Sequence, residues 1–407
     1  MGKVAKRIFI GLLIVFVGLS SYYLGATGKS LEINKGQEES KTTNILTDKN
    51  ELKNIENKLR AIDAIIDKKY LYEYDQKDLE EGIYKGYVAS LNDVYTEYYN
   101  EEEFKALNEQ SEGAFGGVGI EVSGMNGQFI EVISPIKGTP ADKAGIKSKD
   151  KIIKIDGKEF LAKDLNEAVK MMRGEPGKEV TLTIQRMVDD KPKTMDFKLK
   201  REIINVESVH SKMLEDKIAY INITSFQAHT AEDFKKAYQE LKDQGAKSLI
   251  LDLRNNPGGL LDVTLDIADF LLPEGKIMSV NYKDSSEQVY ESDKNHEDMP
   301  MVTLINGGSA SASEVLSGAL KDHKRSEIIG ENSFGKGVVQ QVIPLGDKTG
   351  VKVTIAEYFS PDHNKIHGIG IKPDIEIKLD ENAKAIGVEA LSQDNQLQKA
   401  IEIIKSK

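Results

Sequence analysis

The chain has 407 residues, of which 30% are charged and 39% hydrophobic, and it carries a formal net charge of −11. This length exceeds what one ordinary core supports, so two or three domains are expected. The acidic balance argues against a nucleic-acid partner, because phosphate binding needs a positive surface. The absence of cysteine excludes disulfides, thiolate catalysis and Cys-ligated zinc. The six histidines do not suggest a His-rich metal site, and we expect neither a metal nor a cofactor.

The N-terminus carries a membrane-targeting pattern. Lys3, Lys6 and Arg7 precede an uncharged stretch at residues 8–27 that is rich in apolar residues. About 20 such residues span a bilayer, and the positive flank stays in the cytoplasm. We therefore expect residues 1–28 to be a single-pass anchor in a cell membrane, with the rest of the chain outside the cytoplasm. A cleaved signal peptide is the alternative, but no clean small-residue cleavage site follows the apolar stretch.

Regions of different pattern follow a polar linker at residues 29–47. Apolar residues recur at three- and four-residue steps across residues 48–112, which predicts helices that pack together or mediate dimerisation. Residues 113–201 instead alternate strand-like segments with two short helices, at residues 139–146 and 164–172. The change of period between these regions indicates a domain boundary near residue 112.

Residues 202–381 alternate between strand-like and helix-like segments, which implies α/β units. The amphipathic tail at residues 382–407 predicts a further helical segment, and the polar stretch at residues 283–298 predicts a mobile loop. The fold class expected for the whole chain is therefore multidomain, combining α+β and α/β parts. The segments are, in chain order, strands at 218–223, 248–253 and 301–305 and helices at 231–244 and 312–323.

A run of very small residues from Gly307 to Ser313 joins the predicted strand at 301–305 to the following helix. A serine at such a turn can be exposed, with the helix N-terminus aimed at developing negative charge. Ser311 lies at the predicted first helical turn, where the amide of Ala312 could be an oxyanion donor. Ser309 is the better candidate for the helix cap. A serine-rich cap without chemistry explains this segment alone equally well.

Lys336 is flanked by Gly335 and Gly337 and is followed by apolar residues. Burial of such a lysine disfavours the ammonium form and lowers its pKa toward the range that a general base needs. Ser-Lys pairs are a known variant of the catalytic triad. Gln340, four residues on, could orient the amine if the segment is helical or curved. Taken singly, Lys336 is no better a candidate than a solvated surface lysine.

A polar, glycine-rich loop at residues 255–259 follows the predicted strand at 248–253. Free amides in such a loop can face a reacting carbonyl, and removing one oxyanion donor costs ~3 kcal/mol of transition-state stabilisation. Gly258 and Gly259 are the candidate donors. The alternative is an ordinary turn with a structural pair between Arg254 and Asp252.

Together these segments resemble those of the carboxyl-terminal processing proteases, also called tail-specific proteases. Residues 93–99 also resemble a segment of that family, with Val94 where proline is usual. The resemblance implies a helical N-terminal region, a PDZ domain and an α/β protease core of the crotonase-like, ClpP type. It also implies roles for six residues. These are Ser311 as nucleophile, Lys336 as base, Gln340 as the orienting residue of that base, and Ala312, Gly258 and Gly259 as sources of oxyanion amides.

Residues 116–122 resemble the carboxylate-binding loop of PDZ domains. Successive amides in that loop capture a terminal carboxylate while the bound tail adds a strand to the sheet edge. The expected partners are protein or peptide substrates with apolar C-terminal tails, and a regulatory adaptor is a further candidate. Arg173, just after the second short helix, is expected to contact the protease body and signal peptide occupancy. The residues expected to bind the tail are Gly117, Val118, Gly119 and Ile120.

Two alternatives from other functional classes remain at this stage. A Ser-His-Asp hydrolase would need one of four histidines, although none lies in a segment with comparable turn geometry. A catalytically inactive PDZ scaffold is the second alternative, although both the nucleophile and the base expected of an active enzyme are present. The candidate histidines are His210, His229, His323 and His367.

Overall fold

The computed structural model describes residues 46–125, 128–189 and 191–406. The expected membrane anchor at residues 1–28 and almost all of the linker at 29–47 lie outside the described residues. Within the ranges that are described, no helix is both long enough and apolar enough to cross a bilayer. The membrane anchor therefore stays a prediction from the sequence.

The N-terminal region is helical, as its periodicity predicts. Two helices have no fully buried residue, and the third buries only Leu107 and Ser111. Side chains of Asp48, Asp75 and Asn100 accept amide hydrogen bonds at the three helix starts. One short strand interrupts the helices. The elements are α1 (Lys49–Lys69), α2 (Gln76–Ala89), β1 (Glu97–Tyr99) and α3 (Glu101–Glu112).

The next region is an antiparallel sheet with two short helices, and its alternating residues form a separate core. Inward-facing side chains such as Ile130, Ile152 and Leu182 are fully buried. The sheet order is β3-β4-β5-β7-β8 with β6 on β5, and β2 pairs with β9 at the junction with the rest of the chain. Strand β3 is therefore an edge strand. The elements are β2 (Ala114–Gly117), β3 (Ile120–Ser123), β4 (Ile130–Pro135), α4 (Pro140–Lys143), β5 (Lys151–Ile155), β6 (Lys158–Glu159), α5 (Leu165–Met172), β7 (Glu179–Val188), β8 (Lys191–Lys200) and β9 (Glu202–Asn205).

The remaining chain forms two sheets with helices between and around them. One sheet has the order β10-β11-β12-β15-β16-β19, and the other has the order β1-β18-β13-β14 with β17 on β18. The elements are β10 (Val209–Met213), β11 (Ile218–Ile223), α6 (Thr230–Asp243), β12 (Ser248–Asp252), α7 (Leu261–Leu271), β13 (Gly275–Tyr282), β14 (Glu287–Ser292), β15 (Met301–Ile305), α8 (Ala312–Asp322), β16 (Glu327–Gly330), β17 (Val338–Pro344), β18 (Gly350–Phe359), β19 (Ile375–Glu376) and α9 (Asn395–Ile404).

The parallel strands of the first sheet bring two of the predicted loops together. Strands β11, β12, β15 and β16 run parallel, so their carboxyl ends meet at one edge. Strand β12 ends at Asp252, just before the glycine-rich loop, and β15 ends at Ile305, just before the serine-containing turn. In open α/β sheets, ligands bind outside the carboxyl ends of the strands.

Two sequence predictions about this part of the chain agree with the structure only in part. The polar stretch at residues 283–298 is not simply a mobile loop, because β14 pairs with β13 there. The tail at 382–407 is helical only in α9 and a short 3₁₀ turn at Val388–Ala390. Helix α9 starts later in the chain than the pattern predicts, because the Asp394 carboxylate accepts the Leu397 amide at 2.9 Å and fixes the helix start.

A buried ion-pair network fastens α9 to the strand that precedes the glycine-rich loop. The Arg254 guanidinium donates to both oxygens of Asp394 at 2.8 Å and to Asp252 Oδ2 at 2.6 Å. All three side chains are buried, so removal of one partner would leave an uncompensated charge. The structural pair considered as an alternative for this loop is therefore present, directly beside the loop.

Candidate active site

Ser311 is held in a backbone conformation that non-glycine residues rarely adopt. Its φ of 54° and ψ of −116° lie outside the regions favoured by L-residues, and such strain persists only where the surroundings enforce it. The residue is the N-cap of α8, and Ser309 is not, contrary to the sequence prediction. The Ser309 hydroxyl instead donates to Leu253 O at 2.8 Å and accepts the Asn306 amide at 2.9 Å.

The glycine-rich loop is bonded directly to the serine-containing turn. Asn255 and Asn306 exchange two hydrogen bonds, each 2.9 Å long. The Asn256 carbonyl accepts the Ala310 amide at 3.0 Å and the Ser313 hydroxyl at 2.9 Å. These contacts fix the loop against the turn on both sides of Ser311.

One buried carboxylate, that of Glu314, joins the serine-containing turn to the lysine loop. Glu314 is fully buried, and Oε2 accepts the Ser311 and Lys336 amides, each at 2.8 Å. Oε1 accepts the Ser333 hydroxyl at 2.5 Å and the Gly335 amide at 2.6 Å. Burial raises the pKa of this carboxyl, although the four donors oppose the shift. The geometry is that of an ionised acceptor with every oxygen paired.

The Lys336 amine lies in an environment that suits a general base. The residue is 4% exposed, and burial, assisted by the positive charge of Lys352, lowers the pKa of Lys336 to about 8. The Tyr95 ring centroid lies 5.0 Å from Lys336 Nζ. Lys352 itself is 1% exposed and donates to Glu97 Oε2 at 2.7 Å. An amine with this pKa is substantially neutral at slightly alkaline pH.

The Tyr358 hydroxyl adds a second connection between Ser311 and Lys336. It lies 3.1 Å from the Ser311 carbonyl oxygen and contacts the Lys336 carbonyl oxygen at shorter range. In the described part of the chain, Ser311 Oγ and Lys336 Nζ are not hydrogen bonded to each other. Catalytic hydrogen bonds are often long before substrate binds, so proton transfer would require a small approach of these two atoms.

Gln340 lies in strand β17, so Lys336 and Gln340 are not neighbours on one helix. The strand is nevertheless irregular, because its register with β18 shifts between Val339 and Gln340. Gln340 is 1% exposed, and its Nε2 lies 3.3 Å from Thr354 Oγ1 and 3.4 Å from Val338 O. Its Oε1 is buried without a partner in the described ranges. The role of Gln340 as the orienting residue stays a prediction.

Two of the three candidate oxyanion residues, Gly258 and Ala312, lie beside Ser311, whereas Gly259 packs against Phe226. A Cβ placed on Gly258 would lie 2.9 Å from Ser311 Cβ and 3.1 Å from Ala312 N, so a side chain there would crowd the nucleophile. The Gly258 amide already donates to Asn256 Oδ1 at 2.9 Å. Among the described residues, the Gly259 and Ala312 amides have no recorded acceptor, which leaves both available to a developing oxyanion.

A narrow apolar cavity opens beside Ser311. It has a free volume of about 10 Å³, roughly what one water molecule needs. None of the described histidines lines this cavity. His210 contacts Glu207, His229 lines a surface groove, and His323 contacts the Lys276 carbonyl. The cavity is lined by Leu261, Met278, Ser311, Ala312, Val315, Val338, Val339 and Tyr358.

His367 is the histidine that approaches the lysine loop. Its ring packs edge-on against Tyr95, and its backbone amide lies 2.3 Å from where a Cβ on Gly337 would be. Its Nδ1 is buried without a partner in the described ranges. In the part of the chain that the structure describes, no hydrogen bond connects His367 with Ser311.

The residues expected to bind a peptide tail lie at the start of the edge strand β3. Ile120 opens β3, and the buried Gly119, with φ of 75°, precedes it. Gly117 ends β2, which pairs with β9. Val118 is 3% exposed and belongs to the core of this domain. It therefore supports the loop from below, and half-buried Ile120 is the better candidate for ligand contact.

In the described part of the chain, Arg173 packs beside the segment that precedes the domain, and its predicted contact with the protease body stays a prediction. Its guanidinium lies 4.2 Å from the Phe115 ring centroid and 3.6 Å from Glu109 Oε2. Glu109 belongs to α3 and Phe115 to β2, so Arg173 packs against the segment that leads into the domain. The sequence placed Arg173 after the right helix but gave no indication of this long-range partner.

Several residues that build the site had no predicted role. Glu314 could have been found, because an acidic residue three positions after a helix N-cap is a capping-box signal. Tyr358, Thr354 and Tyr95 contact the site from strands and turns distant in sequence, and no local motif marks those contacts.

Comparison with known proteins places the chain among proteases. A profile of peptidase family S41 matches residues 217–377, a PDZ-domain profile matches residues 131–186, and a profile of the N-terminal domain of activating protease CtpB matches residues 8–103. The carboxy-terminal processing protease CtpA of Bacillus subtilis strain 168 is 37% identical over 380 residues, which cover 93% of this chain and 78% of the relative. A carboxy-terminal-processing protease of Bartonella bacilliformis is 43% identical over 312 residues, covering 75% and 70%.

A solved structure supports the fold. An S41 protease structure from Bacteroides fragilis NCTC 9343 superposes with a TM-score of 0.51 at 15% sequence identity, covering 83% of this chain and 92% of that chain. At this level of identity, the likeness speaks for the shared architecture of the two chains and carries no statement about their substrates.

Glu314→Gln should both destabilise the protein and slow the reaction of Ser311. The amide nitrogen that replaces one carboxylate oxygen would face two donors, and each unpaired buried donor costs about 1–3 kcal/mol. We expect a loss of about 2 kcal/mol or more in the free energy of unfolding in urea, with at least tenfold slower labelling of Ser311 by a fluorophosphonate. The exposed Glu376→Gln should change neither quantity measurably. Wild-type labelling of Glu314→Gln would refute the bridging role.

Proposed function

The chain belongs to the carboxy-terminal processing proteases of peptidase family S41, and we propose that it is an extracytoplasmic endopeptidase with Ser311 as nucleophile and Lys336 as base. Two features of the same site carry this proposal. One is a strained serine at a helix N-terminus, and the other is a buried lysine whose pKa is lowered to about 8. Both backbones are fixed by the same carboxylate of Glu314.

The proposed reaction has two steps. The neutral Lys336 amine takes the Ser311 hydroxyl proton as Oγ attacks the scissile carbonyl, and nearby amides stabilise the oxyanion. The resulting ammonium returns that proton to the leaving amine when the peptide C–N bond breaks, which leaves an acyl-enzyme. A water molecule then gives a proton to Lys336 as its oxygen attacks the ester carbonyl. The ammonium returns that proton to Ser311 Oγ when the acyl C–O bond breaks, which releases the acid product and restores both residues. The amides of Gly259 and Ala312 are the oxyanion donors that fit this scheme best.

The PDZ domain supports selection of substrates by their C-terminal tails. Strand β3 pairs only with β4 in the described sheet, so its other edge is available for strand addition by an extended peptide. The cavity beside Ser311 is small and apolar, which favours a small apolar side chain immediately before the cleaved bond. Regulation by an adaptor is a further proposal, to which we assign no surface of the protein.

The location of the protein is proposed from its N-terminal sequence alone. The basic flank and apolar stretch at residues 3–27 support a membrane-attached body outside the cytoplasm, where exported or membrane proteins are the available substrates. Digestion of the body by a protease added to intact protoplasts would support this orientation, and protection of the body would refute it.

The exposed apolar residues of the first helices favour a homodimer. Leu59 and Ile62 in α1 are 37% and 46% exposed, and Ile83 and Tyr87 in α2 are 46% and 51% exposed. A helix whose apolar stripe meets no core in its own chain is stable mainly when another surface covers it. A second copy of α1 and α2 supplies such a surface with a matching apolar stripe.

The activity should rise with pH and reach a plateau above about 8. Only the neutral form of Lys336 accepts a proton, so kcat/KM for an unstructured peptide should fall about tenfold per pH unit below the pKa. Lys336→Ala and Ser311→Ala should each lower kcat by 10³-fold or more, as in other serine proteases, to the order of magnitude. EDTA should have no effect, and the exposed Lys372→Ala should retain the full profile. Full activity of Lys336→Ala, or inhibition by EDTA, would contradict this mechanism.

Peptides with an apolar terminal residue and a free carboxylate should bind the PDZ domain. A carboxamide at the same terminus loses the charge that the loop amides capture, so its affinity should fall by about tenfold or more. Ile120→Lys should weaken binding similarly, whereas Ile133→Lys, at a 51%-exposed position on β4, should not. Fluorescence anisotropy measures both series. Equal affinity of acid and amide peptides would refute tail recognition.

Charges introduced on the apolar face of α1 should dissociate the dimer. Leu59→Glu with Ile62→Glu places two carboxylates where we propose that the second copy packs, and sedimentation equilibrium should then report a monomer. Asn57→Glu with Ala64→Glu adds the same charges at exposed positions on another face and should leave a dimer. A wild-type protein that sediments as a monomer at micromolar concentration would refute the proposal.

A further inference from the structure

Two large apolar side chains are exposed on the segments that carry and flank the lysine loop. Phe334 is 46% exposed and Ile369 is 60% exposed. The residues beside them in sequence, Ser333, Gly335 and Gly370, are buried, so each apolar side chain projects outward from a packed backbone. Single exposed apolar residues are ordinary, but a group of them beside a reactive site is typical of a surface that meets another molecule.

Backbone contacts hold the segments of Phe334 and Ile369 against each other. The Gly368 amide donates to Gly335 O at 2.9 Å, and Asn332 Nδ2 donates to Ile369 O at 2.8 Å. A Cβ placed on Gly335 would lie 3.1 Å from the Ile369 amide nitrogen. Phe334 and Ile369 therefore project from two segments in direct contact, and together they are named the apolar rim.

The apolar rim is fixed close to the reacting groups. The Phe334 amide donates to Ser309 O at 3.0 Å, two residues before Ser311. Phe334 is also two residues before Lys336, and the Ser311 and Lys336 amides share one acceptor, Glu314 Oε2, each at 2.8 Å. A peptide whose cleaved bond reaches Ser311 must therefore pass beside this part of the surface.

The apolar rim is separate from the cavity beside Ser311. Neither Phe334 nor Ile369 lines that cavity, which lies among side chains of α7, β13, α8, β17 and β18. The cavity suits the side chain before the cleaved bond. In the proposed reaction Lys336 gives a proton to the leaving amine, so the first residue after the cleaved bond lies beside the lysine loop. The residues that flank this loop are thus placed to meet the leaving segment.

We propose that the apolar rim is the subsite for the first residue after the cleaved bond and that it selects an apolar side chain there. The inference rests on the Ser311–Lys336 mechanism proposed above and names the class of substrate on the leaving side of the same site. An apolar side chain laid on Phe334 and Ile369 removes apolar surface of both partners from water, and a polar side chain gains little from this contact. The released C-terminal fragments therefore begin with an apolar residue.

The test compares two substrates that differ at one position. The full chain first digests an unstructured polypeptide with an apolar C-terminal residue, and mass spectrometry identifies the bond that is cleaved. Two versions of this substrate then carry leucine or serine directly after that bond, and competition between them gives the ratio of their kcat/KM values. We expect the wild type to favour leucine about tenfold, and Phe334→Ser or Ile369→Ser to reduce this preference to about twofold, because the apolar contact is lost.

Matched controls separate substrate contact from damage to the site. Val289→Ser removes a 41%-exposed apolar side chain from β14 and should keep the wild-type preference. A fluorophosphonate places only fluoride on the leaving side, so the rate and pH dependence of Ser311 labelling should be the same in Phe334→Ser, Ile369→Ser and the wild type. If Phe334→Ser slows this labelling, its loop has lost its structure, and the ratio measured for Ile369→Ser decides the question.

The failure of this inference and the failure of the proposed mechanism give different results. If Ile369→Ser and Phe334→Ser keep the leucine preference, or if they change only the preference for the residue before the cleaved bond, the assignment of the apolar rim is wrong. If Lys336→Ala labels as fast as the wild type with the same pH profile, the lysine is not the base and the Ser311–Lys336 mechanism itself is wrong.

Discussion

The Glu314 carboxylate is the interaction on which the rest of the site depends. It is buried and ionised, and its four donors come from the serine-containing turn and the lysine loop. A low local dielectric strengthens each of these hydrogen bonds and makes any unpaired member costly. The spacing between Ser311 and Lys336 is therefore set by backbone amides that converge on one rigid group. The flexible lysine side chain has only the last few ångströms left to adjust.

The proposed role of Lys336 as a base requires that the lysine be buried, and the N-terminal region contributes to this burial. Burial lowers the pKa of Lys336, and part of that burial comes from Tyr95, far upstream in sequence. Strand β1 pairs with β18, which places the turn at residues 93–96 over the lysine loop. The N-terminal region therefore completes the buried environment of Lys336.

The sequence predicted those parts of the site that short motifs specify. Ser311, Lys336 and the glycine-rich loop lie beside strand ends that periodicity alone can locate, and the structure brings these segments together. The sequence could not predict the φ of Ser311 or the contacts of Gln340, because backbone strain and long-range pairing leave no local pattern. The start of α9 was not predicted correctly, for a related reason. Its start is fixed by Asp394, whose partner Arg254 is 140 residues away.

The contacts of Arg173 show one place where the PDZ domain packs against the rest of the chain. Arg173 packs on Phe115 and Glu109, which belong to β2 and α3. Helix α3 directly follows β1, and β1 pairs with the strand that carries Thr354. A continuous series of packed elements thus leads from the end of helix α5 to the residue that faces Gln340. Such continuity shows contact and not coupling energy. It does place the PDZ domain in packing contact with the N-terminal segment that lies over Lys336.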